Sequence, residues 1–300
     1  MKFKGSFVAI VTPFDSKGRI DSRSLKRLVE WQISEGTDGI VCSGATGEAT
    51  CLSLAERQKI LGICLEVSQG RVPIIAGTGT PNTRETVQFT EKAKLAGASG
   101  CLVITPFYNK PSQRGCVLHY REVAKVGLPV IAYHNPGRTM VRLTVETLAE
   151  IGTIPGLSAV KEASGDIEFI RQLKKVSLLP IFSGEDWLTF ETIKEGGIGA
   201  ISTIGNIIPR AWSEMIHLSL KGQTEEGKKI SGRFAPLYEA IFSEVNPQCV
   251  KYILSLMGKC RSTLRLPLVE PLAQTQKELK RTLLKLALPF KSLQRETKVF

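Results

Sequence analysis

The stretch PVIAYHNPGRTMVRLTVETLAEIGTIPGLSAVKEA, residues 129–163, determines the fold. It begins and ends with short apolar runs, 129–135 and 157–163, of the kind that forms strands buried on both faces. Between these runs, Thr144 opens the helical pattern VETLAEIG, and Gly152 stands where that helix would stop. The stretch therefore predicts a strand–helix–strand unit, the building block of α/β folds.

The same rhythm continues on both sides of this unit. Apolar runs bring the predicted strands to eight, at 6–11, 39–44, 73–79, 100–105, 129–135, 157–163, 179–185 and 199–205. Eight strand–helix repeats in about 220 residues predict an α/β fold, a (β/α)8 TIM barrel over residues 1–222. A doubly wound sheet is the alternative, although no G-x-G-x-x-G motif follows the first strand. Residues 223–300 carry only helical patterns and predict a C-terminal helical extension.

The amino-acid composition indicates to which broad class of protein the chain belongs. The chain has 300 residues, 42% hydrophobic and 23% charged, which is typical of a globular protein that needs no disulfide or metal to fold. Seven cysteines form no C-x-x-C pair and three histidines are scattered, so we expect no metal site. No apolar run reaches the roughly 18 residues of a membrane span, and no signal-peptide cleavage site is evident, so we expect a cytoplasmic protein.

The net charge of +12 raises the question of an anionic partner. Residues 277–300 hold seven Lys or Arg against two Glu, so much of the excess lies on this tail, which we interpret as a solvated face or a subunit contact. A nucleic-acid binder is a hypothesis that rests on net charge alone, because the sequence contains no helix-turn-helix, RNP or zinc motif. We therefore expect no nucleic-acid partner.

In such a barrel the active site lies at the C-terminal ends of the strands. Polar residues occupy these ends at 43–48, 77–79, 105–108, 133–139, 161–162, 183–186 and 202–206. Lys161 stands out because it ends a strand predicted to be buried on both faces, where desolvation favours the neutral amine that forms a Schiff base with a carbonyl. The alternatives are a lysine that reaches solvent at the strand end, or one paired with Glu162.

Three further features suit an anionic oxo-acid. The turn SGATGE (43–48) offers successive backbone N–H groups to an anion, Tyr108 and Tyr133 are phenols able to relay protons, and Arg138 presents a planar fork to a carboxylate. Each feature also has a purely structural interpretation. The turn is then a tight turn only, the tyrosines are aromatic side chains packed at the rim of the barrel, and Arg138 is a surface arginine. Together with Lys161 they indicate imine chemistry on an oxo-acid.

These segments resemble a known family, the dihydrodipicolinate synthases, also called 4-hydroxy-tetrahydrodipicolinate synthases. The resemblance rests on SGATGE (43–48), TPFYNKPSQRG (105–115), YHNPGRT (133–139) and VKEASGD (160–166), and is extended by GTGTPNTRE (77–85), NPQCVKY (246–252) and LRLPLVE (264–270). It covers most of the chain, including the helical extension. Barrel, Schiff-base lysine and C-terminal helices are shared with the wider class I pyruvate aldolase superfamily.

The resemblance implies condensation of pyruvate with L-aspartate-4-semialdehyde in the diaminopimelate route to lysine. No cofactor is implied beyond the imine that Lys161 would form with pyruvate. Tyr133 and Tyr108 would relay protons, with Tyr108 reaching into a neighbouring subunit's site of a homotetramer built from tight dimers. The resemblance further implies that Thr46 holds the pyruvate carboxylate and Arg138 that of the semialdehyde. Ala45, next to Thr46, and Thr203, at the end of the last strand, complete the candidate substrate-binding residues.

One departure from the family pattern leaves the function open. Ala45 stands where the family usually has a Thr or Ser whose hydroxyl bridges the two tyrosines, and loss of a relay member costs on the order of 10²–10⁴ in rate. The alternatives are a catalytically impaired member, a rebuilt relay, or a different acceptor, as in a 2-keto-3-deoxy acid aldolase or an N-acetylneuraminate lyase. Arg138 and the LRLP segment favour the synthase.

A second departure concerns regulation. Many members of the family bind lysine at the tight dimer interface through polar side chains. The matching positions here are Ala49, Leu54, Arg57, Pro81, Glu85 and Phe107. Leu54 and Phe107 offer no polar contact and Arg57 would repel the lysine side chain, so we expect weak or absent lysine feedback.

Overall fold

The structure, a computed structural model, describes residues 3–290 and contains a closed barrel of eight parallel strands in chain order. Each strand pairs with the next along the chain, and the eighth pairs with the first. The strands are β1 Gly5–Ala9, β2 Gly39–Cys42, β3 Ile74–Gly77, β4 Gly100–Ile104, β5 Val130–His134, β6 Leu157–Glu162, β7 Ile181–Ser183 and β8 Gly199–Ser202. The predicted barrel is confirmed, and the doubly wound alternative is wrong because the sheet closes on itself.

Helices follow the strands and then continue beyond the barrel. Around the barrel these are α1 Ser22–Ser34, α2 Leu54–Ser68, α3 Thr83–Leu95, α4 Gln113–Ala124, α5 Pro136–Thr139, α6 Val145–Gly152, α7 Ile167–Val176, α8 Thr189–Lys194 and α9 Pro209–Leu220. The extension adds α10 Thr224–Arg233, α11 Ala235–Ile241, α12 Gln248–Leu256 and α13 Ala273–Lys285. No helix within residues 3–290 is long and apolar enough to span a membrane.

Each strand ends before the apolar run that predicted it does, because the backbone turns out of the sheet at that point. Ser43 adopts a left-handed backbone with φ 53°, so the run 39–44 extends past β2. After β8, residues Ile204–Asn206 form a 3-10 turn instead of continuing the strand. These early exits direct the polar strand ends into the loops at one face of the barrel.

Two apolar cores flank the strands. One fills the barrel interior and includes Phe7, Val41, Ile131 and Phe182. The other lies between the barrel and its helices and continues into the extension, where Leu254 on α12 belongs to it. The division at residue 222 stays a prediction, and the last ten residues of the basic tail, 291–300, lie outside the described residues.

Candidate active site

Lys161 projects into the barrel at the C-terminal end of β6. Side chains alternate along this strand, so Ala159 packs in the interior core while Val160 packs against the helices. The Lys161 side chain shares the interior face and is only 5% exposed. Its Nζ lies 4.4 Å from the centroid of the Tyr133 ring, on the neighbouring strand at the paired position. The lysine is thus buried and held at a fixed distance from a phenol.

Glu162, the next residue on β6, points away from Lys161. Its carboxylate lies 2.6 Å from His134 Nδ1 and also accepts the Ser164 N–H at 2.6 Å. Because His134 Nε2 accepts the Leu143 N–H, Nδ1 carries the ring proton and donates it to Glu162. The alternative in which Glu162 pairs with Lys161 is therefore wrong.

Gly184, at the end of β7, makes room for the lysine. A Cβ atom added at this glycine would lie 2.6 Å from the Ala163 Cβ and 3.0 Å from Lys161 Cε. A larger residue would therefore clash with the Ala163 side chain and the Glu162 backbone oxygen, and would crowd Lys161. The steric fit identifies Gly184 as a packing requirement of the site.

Lys161 opens into a cavity of about 560 Å³. Six of the seven sequence-predicted site residues line it: Lys161, Tyr133, Thr46, Ala45, Arg138 and Thr203. Tyr108 does not belong to its lining among the described residues; this side chain is 91% exposed, on a left-handed backbone with φ 71°. Within a single chain, the structure therefore assembles the predicted site without Tyr108.

Asn246, from the extension, joins Thr46 and Arg138, the two residues predicted to bind the substrate carboxylates. Its Nδ2 donates to Thr46 Oγ1 at 2.9 Å, and its backbone oxygen accepts from Arg138 Nη2 at 3.3 Å. Thr46 Oγ1 also lies 3.5 Å from Thr203 Oγ1. Sequence reasoning assigned Asn246 no role, although it belongs to the NPQCVKY segment. The extension thus takes part in the site.

Asn135, which follows β5, holds Tyr133. Its Nδ2 donates to the Tyr133 phenol oxygen at 2.9 Å, and both side chains are at least nine-tenths buried. The same amide accepts the Arg138 backbone N–H at 3.0 Å through Oδ1 and caps the short helix α5. One side chain therefore connects the candidate relay tyrosine to the segment that carries Arg138.

Glu185, just after β7, adds an acidic group to the cavity lining, and the neighbouring Asp186 is buried. Both stand among the polar strand ends at 183–186, but no role was predicted for them. Burial, reinforced by the neighbouring Asp186, raises the pKa of Glu185 to about 7, while Lys161 and Arg138 oppose this rise. Burial likewise raises the pKa of Asp186, although its carboxylate accepts the Thr203 N–H at 3.1 Å. A carboxyl that titrates near neutrality therefore faces the lysine and the arginine.

Glu48, the last residue of the Gly-rich turn, anchors that turn to the extension. Its carboxylate forms a 2.6 Å ion pair with Lys251 on α12, and both side chains are fully buried. The second carboxylate oxygen accepts the Arg265 backbone N–H at 3.0 Å. Lys251 Nζ also lies 4.2 Å from the centroid of the Phe14 ring. A buried network thus fixes the turn that carries Thr46.

A second cavity, of about 540 Å³, shares part of its lining with the first, including Ala45, Tyr133 and Arg138. Five of the six positions that bear on lysine feedback line it: Ala49, Arg57, Pro81, Glu85 and Phe107. The Arg57 guanidinium donates to the Gly77 oxygen at 2.9 Å and the Ala49 oxygen at 2.6 Å, and it lies 4.9 Å from the Phe89 ring centroid. These contacts fix a cation in the wall of the cavity.

We expect lysine to leave the activity unchanged at concentrations that saturate a high-affinity site. The fixed Arg57 cation repels the lysine ammonium, and Phe107 contributes no hydrogen bond. Initial rates measured with increasing lysine test this expectation, with Arg57→Met as the matched variant that removes the charge. Inhibition of the unaltered chain at micromolar lysine would contradict it.

Within residues 3–290, no three His, Cys, Asp or Glu side chains are grouped so that they could hold a metal ion. The main cavity is lined by a lysine, a phenol, an arginine, amides and carboxyl groups.

The chain is similar to known proteins over most of its length. A family model described as the dihydrodipicolinate synthetase family matches residues 2–286. A 4-hydroxy-tetrahydrodipicolinate synthase from Thermodesulfovibrio yellowstonii is 43% identical over 92% of this chain and 95% of its own length. One from Rhodospirillum centenum is 42% identical over 95% and 99%. The crystal structure of dihydrodipicolinate synthase from Aquifex aeolicus superposes with a TM-score of 0.94 at 35% identity, covering 97% of this chain and all of that one.

Proposed function

The chain belongs to the dihydrodipicolinate synthetase family and condenses pyruvate with L-aspartate-4-semialdehyde to 4-hydroxy-tetrahydrodipicolinate, and we propose that this reaction proceeds through an imine on Lys161. The observation that carries the proposal is a buried Lys161 whose Nζ lies 4.4 Å from the Tyr133 ring centroid, in a cavity that Thr46 and Arg138 also line. The neutral amine of a lysine is the nucleophile that forms an imine with a ketone. The product lies on the diaminopimelate route to lysine.

In the proposed mechanism Lys161 Nζ attacks the pyruvate ketone, water leaves and an imine forms. Loss of a methyl proton converts the imine to an enamine, whose carbon attacks the aldehyde of the second substrate. The amino group of that substrate then closes the ring onto the imine carbon and releases Lys161. No metal or organic cofactor takes part, since the imine nitrogen itself withdraws the electrons.

The two carboxylates have separate proposed sites. Thr46 and the N–H groups of its turn hold the pyruvate carboxylate, with Ala45 and Thr203 forming the adjacent walls. Arg138, at the mouth of the cavity, binds the carboxylate of the semialdehyde through its guanidinium. The 3.3 Å bond from Arg138 to the Asn246 backbone oxygen supports this role, because it directs the guanidinium over the cavity.

Proton transfer is assigned to Tyr133, the phenol beside the lysine. Tyr108 completes the relay in a homotetramer built from tight dimers, where its exposed side chain enters the neighbouring subunit's cavity. The exposure of Tyr108 in the single chain, 91%, supports a role that requires a second subunit. We place the enzyme in the cytoplasm.

The test of this proposal is a coupled assay with pyruvate and L-aspartate-4-semialdehyde. We expect saturable turnover with both substrates, because the cavity offers a cation and an anion-binding turn for their two carboxylates. The matched comparison replaces the semialdehyde by glyceraldehyde, an acceptor without a carboxylate for Arg138. Turnover of glyceraldehyde but not of the semialdehyde would show an aldolase instead.

A further inference from the structure

We propose that Asn135 is a positioning residue that supplies Tyr133 with the hydrogen bond that Ala45 cannot give. The inference rests on the proposed role of Tyr133 in proton transfer. It starts from one observation, the 2.9 Å hydrogen bond from Asn135 Nδ2 to the Tyr133 phenol oxygen inside the cavity. The side chain of Ala45 lines the same cavity but carries no donor or acceptor.

The orientation of the Asn135 amide follows from its second partner. A backbone N–H can only donate, so the atom that faces the Arg138 N–H at 3.0 Å is the amide oxygen. The NH₂ group therefore faces Tyr133, and it can only donate. The direction of the Asn135–Tyr133 bond is set by this geometry, independently of any choice between the two ends of the amide.

A donor on the phenol oxygen has two chemical consequences. The phenol accepts from Asn135 with a lone pair, so its own hydrogen is free to pass to a group in the cavity. When that proton leaves, the same N–H stabilises the phenolate in a site that is largely closed to water, because Tyr133 is only 6% exposed. Asn135 thus orients Tyr133 for proton transfer and stabilises the charge that the transfer creates.

The helix cap makes this arrangement rigid. Asn135 is the N-cap of α5, and Pro136 begins that helix, so the amide oxygen is committed to the Arg138 N–H. Rotating the amide away from Tyr133 would break the cap as well. The two bonds therefore hold each other in place.

Two substitutions test the hydrogen bond that Asn135 donates to Tyr133 separately from its role as the N-cap of α5. Asn135→Asp and Asn135→Ser both keep an oxygen suited to the N-cap but remove the NH₂ donor. We expect kcat to fall on the order of 10²-fold in both. The KM values for both substrates should stay within about twofold, because Thr46 and Arg138 are untouched. The thermal unfolding midpoint is measured alongside as a readout of the cap.

The decisive measurement is whether a hydroxyl at position 45 restores the kcat that the Asn135 substitution removes. Ala45→Thr should recover at least about tenfold of the lost kcat in the Asn135→Ser background, with the Ala45→Thr single variant measured as the reference. A kcat close to that of the unaltered chain in both Asn135 variants would overturn the proposal. So would a lower unfolding midpoint with KM raised and no rescue, which indicates a structural role only.

The unaltered chain is trapped with pyruvate and borohydride first. If it traps pyruvate and turns over, while both Asn135 variants match it, the role of Asn135 alone is wrong. If it neither traps pyruvate nor turns over, the proposed function fails and the role of Asn135 fails with it.

Discussion

Replacing Lys161 by alanine should lower kcat by roughly 10⁴-fold or more, because loss of a covalent nucleophile costs up to about 10⁶ in other enzymes. The imine joins Lys161 Nζ to the pyruvate ketone carbon, and within the cavity lining no second lysine is present among the described residues to replace it. Borohydride reduction in the presence of pyruvate should add the mass of one reduced pyruvate to the unaltered chain. Peptide mapping should locate that mass on Lys161, and the Lys161→Ala chain should show no addition.

Lys161→Arg is the matched control for this experiment. Arginine places a basic side chain of similar length beside Tyr133 and Glu185 but stays protonated at neutral pH, so it cannot attack the ketone. Both variants should therefore lose the adduct, while Arg retains more of the charge pairing in the cavity. An adduct that persists at another lysine in either variant, with turnover within tenfold of the unaltered chain, would show that Lys161 is not the nucleophile.

The rule that barrel active sites lie at strand ends was sufficient to predict that Lys161 and Tyr133 lie together in the candidate site. Lys161 and Tyr133 end paired strands, and the closed parallel barrel brings them together in register. The burial of Lys161 was predictable as well, because its strand is apolar on both faces. The local sequence was therefore enough to predict which two residues lie together and that the lysine is buried.

Contacts between distant segments were not predictable in this way. Asn246 reaches Thr46 across 200 positions of the chain, and no periodicity indicates which side of the extension faces the barrel. The Asn135 amide is beside Tyr133 in sequence, yet its hydrogen bond depends on the turn into α5. The raised pKa of Glu185 depends on burial and on Asp186, which the pattern alone does not quantify.

The buried ion pair between Glu48 and Lys251 shows how much of the site depends on such distant contacts. It joins the Gly-rich turn of the barrel to α12 of the extension at 2.6 Å, with both side chains fully buried. Burial lowers the pKa of Lys251, against the attraction of Glu48. Burying these two charges therefore costs a large desolvation free energy, which is offset only while both partners are present.

Replacing Lys251 by methionine should lower the free energy of unfolding by about 3–5 kcal/mol, because the Glu48 carboxylate then stays buried without its counter-charge. The double variant Glu48→Gln with Lys251→Met removes both charges and should recover most of that loss. Lys26→Met is the matched surface control: Lys26 and Glu66 also lie 2.6 Å apart, but both side chains are substantially exposed, so we expect a loss of about 1 kcal/mol or less.

Urea unfolding measures these differences in five chains: the unaltered chain, Glu48→Gln, Lys251→Met, the double variant and Lys26→Met. The first four form the double-variant cycle that gives the coupling between Glu48 and Lys251. A coupling near zero would show that the ion pair does not hold the turn to α12. The KM for pyruvate adds a second readout, since Thr46 lies in the turn that Glu48 anchors. We expect it to rise in Lys251→Met and to recover partly in the double variant, because a loosened turn presents its N–H groups to the carboxylate less accurately. The extension would then be a part of the active site and not an appendage to the barrel.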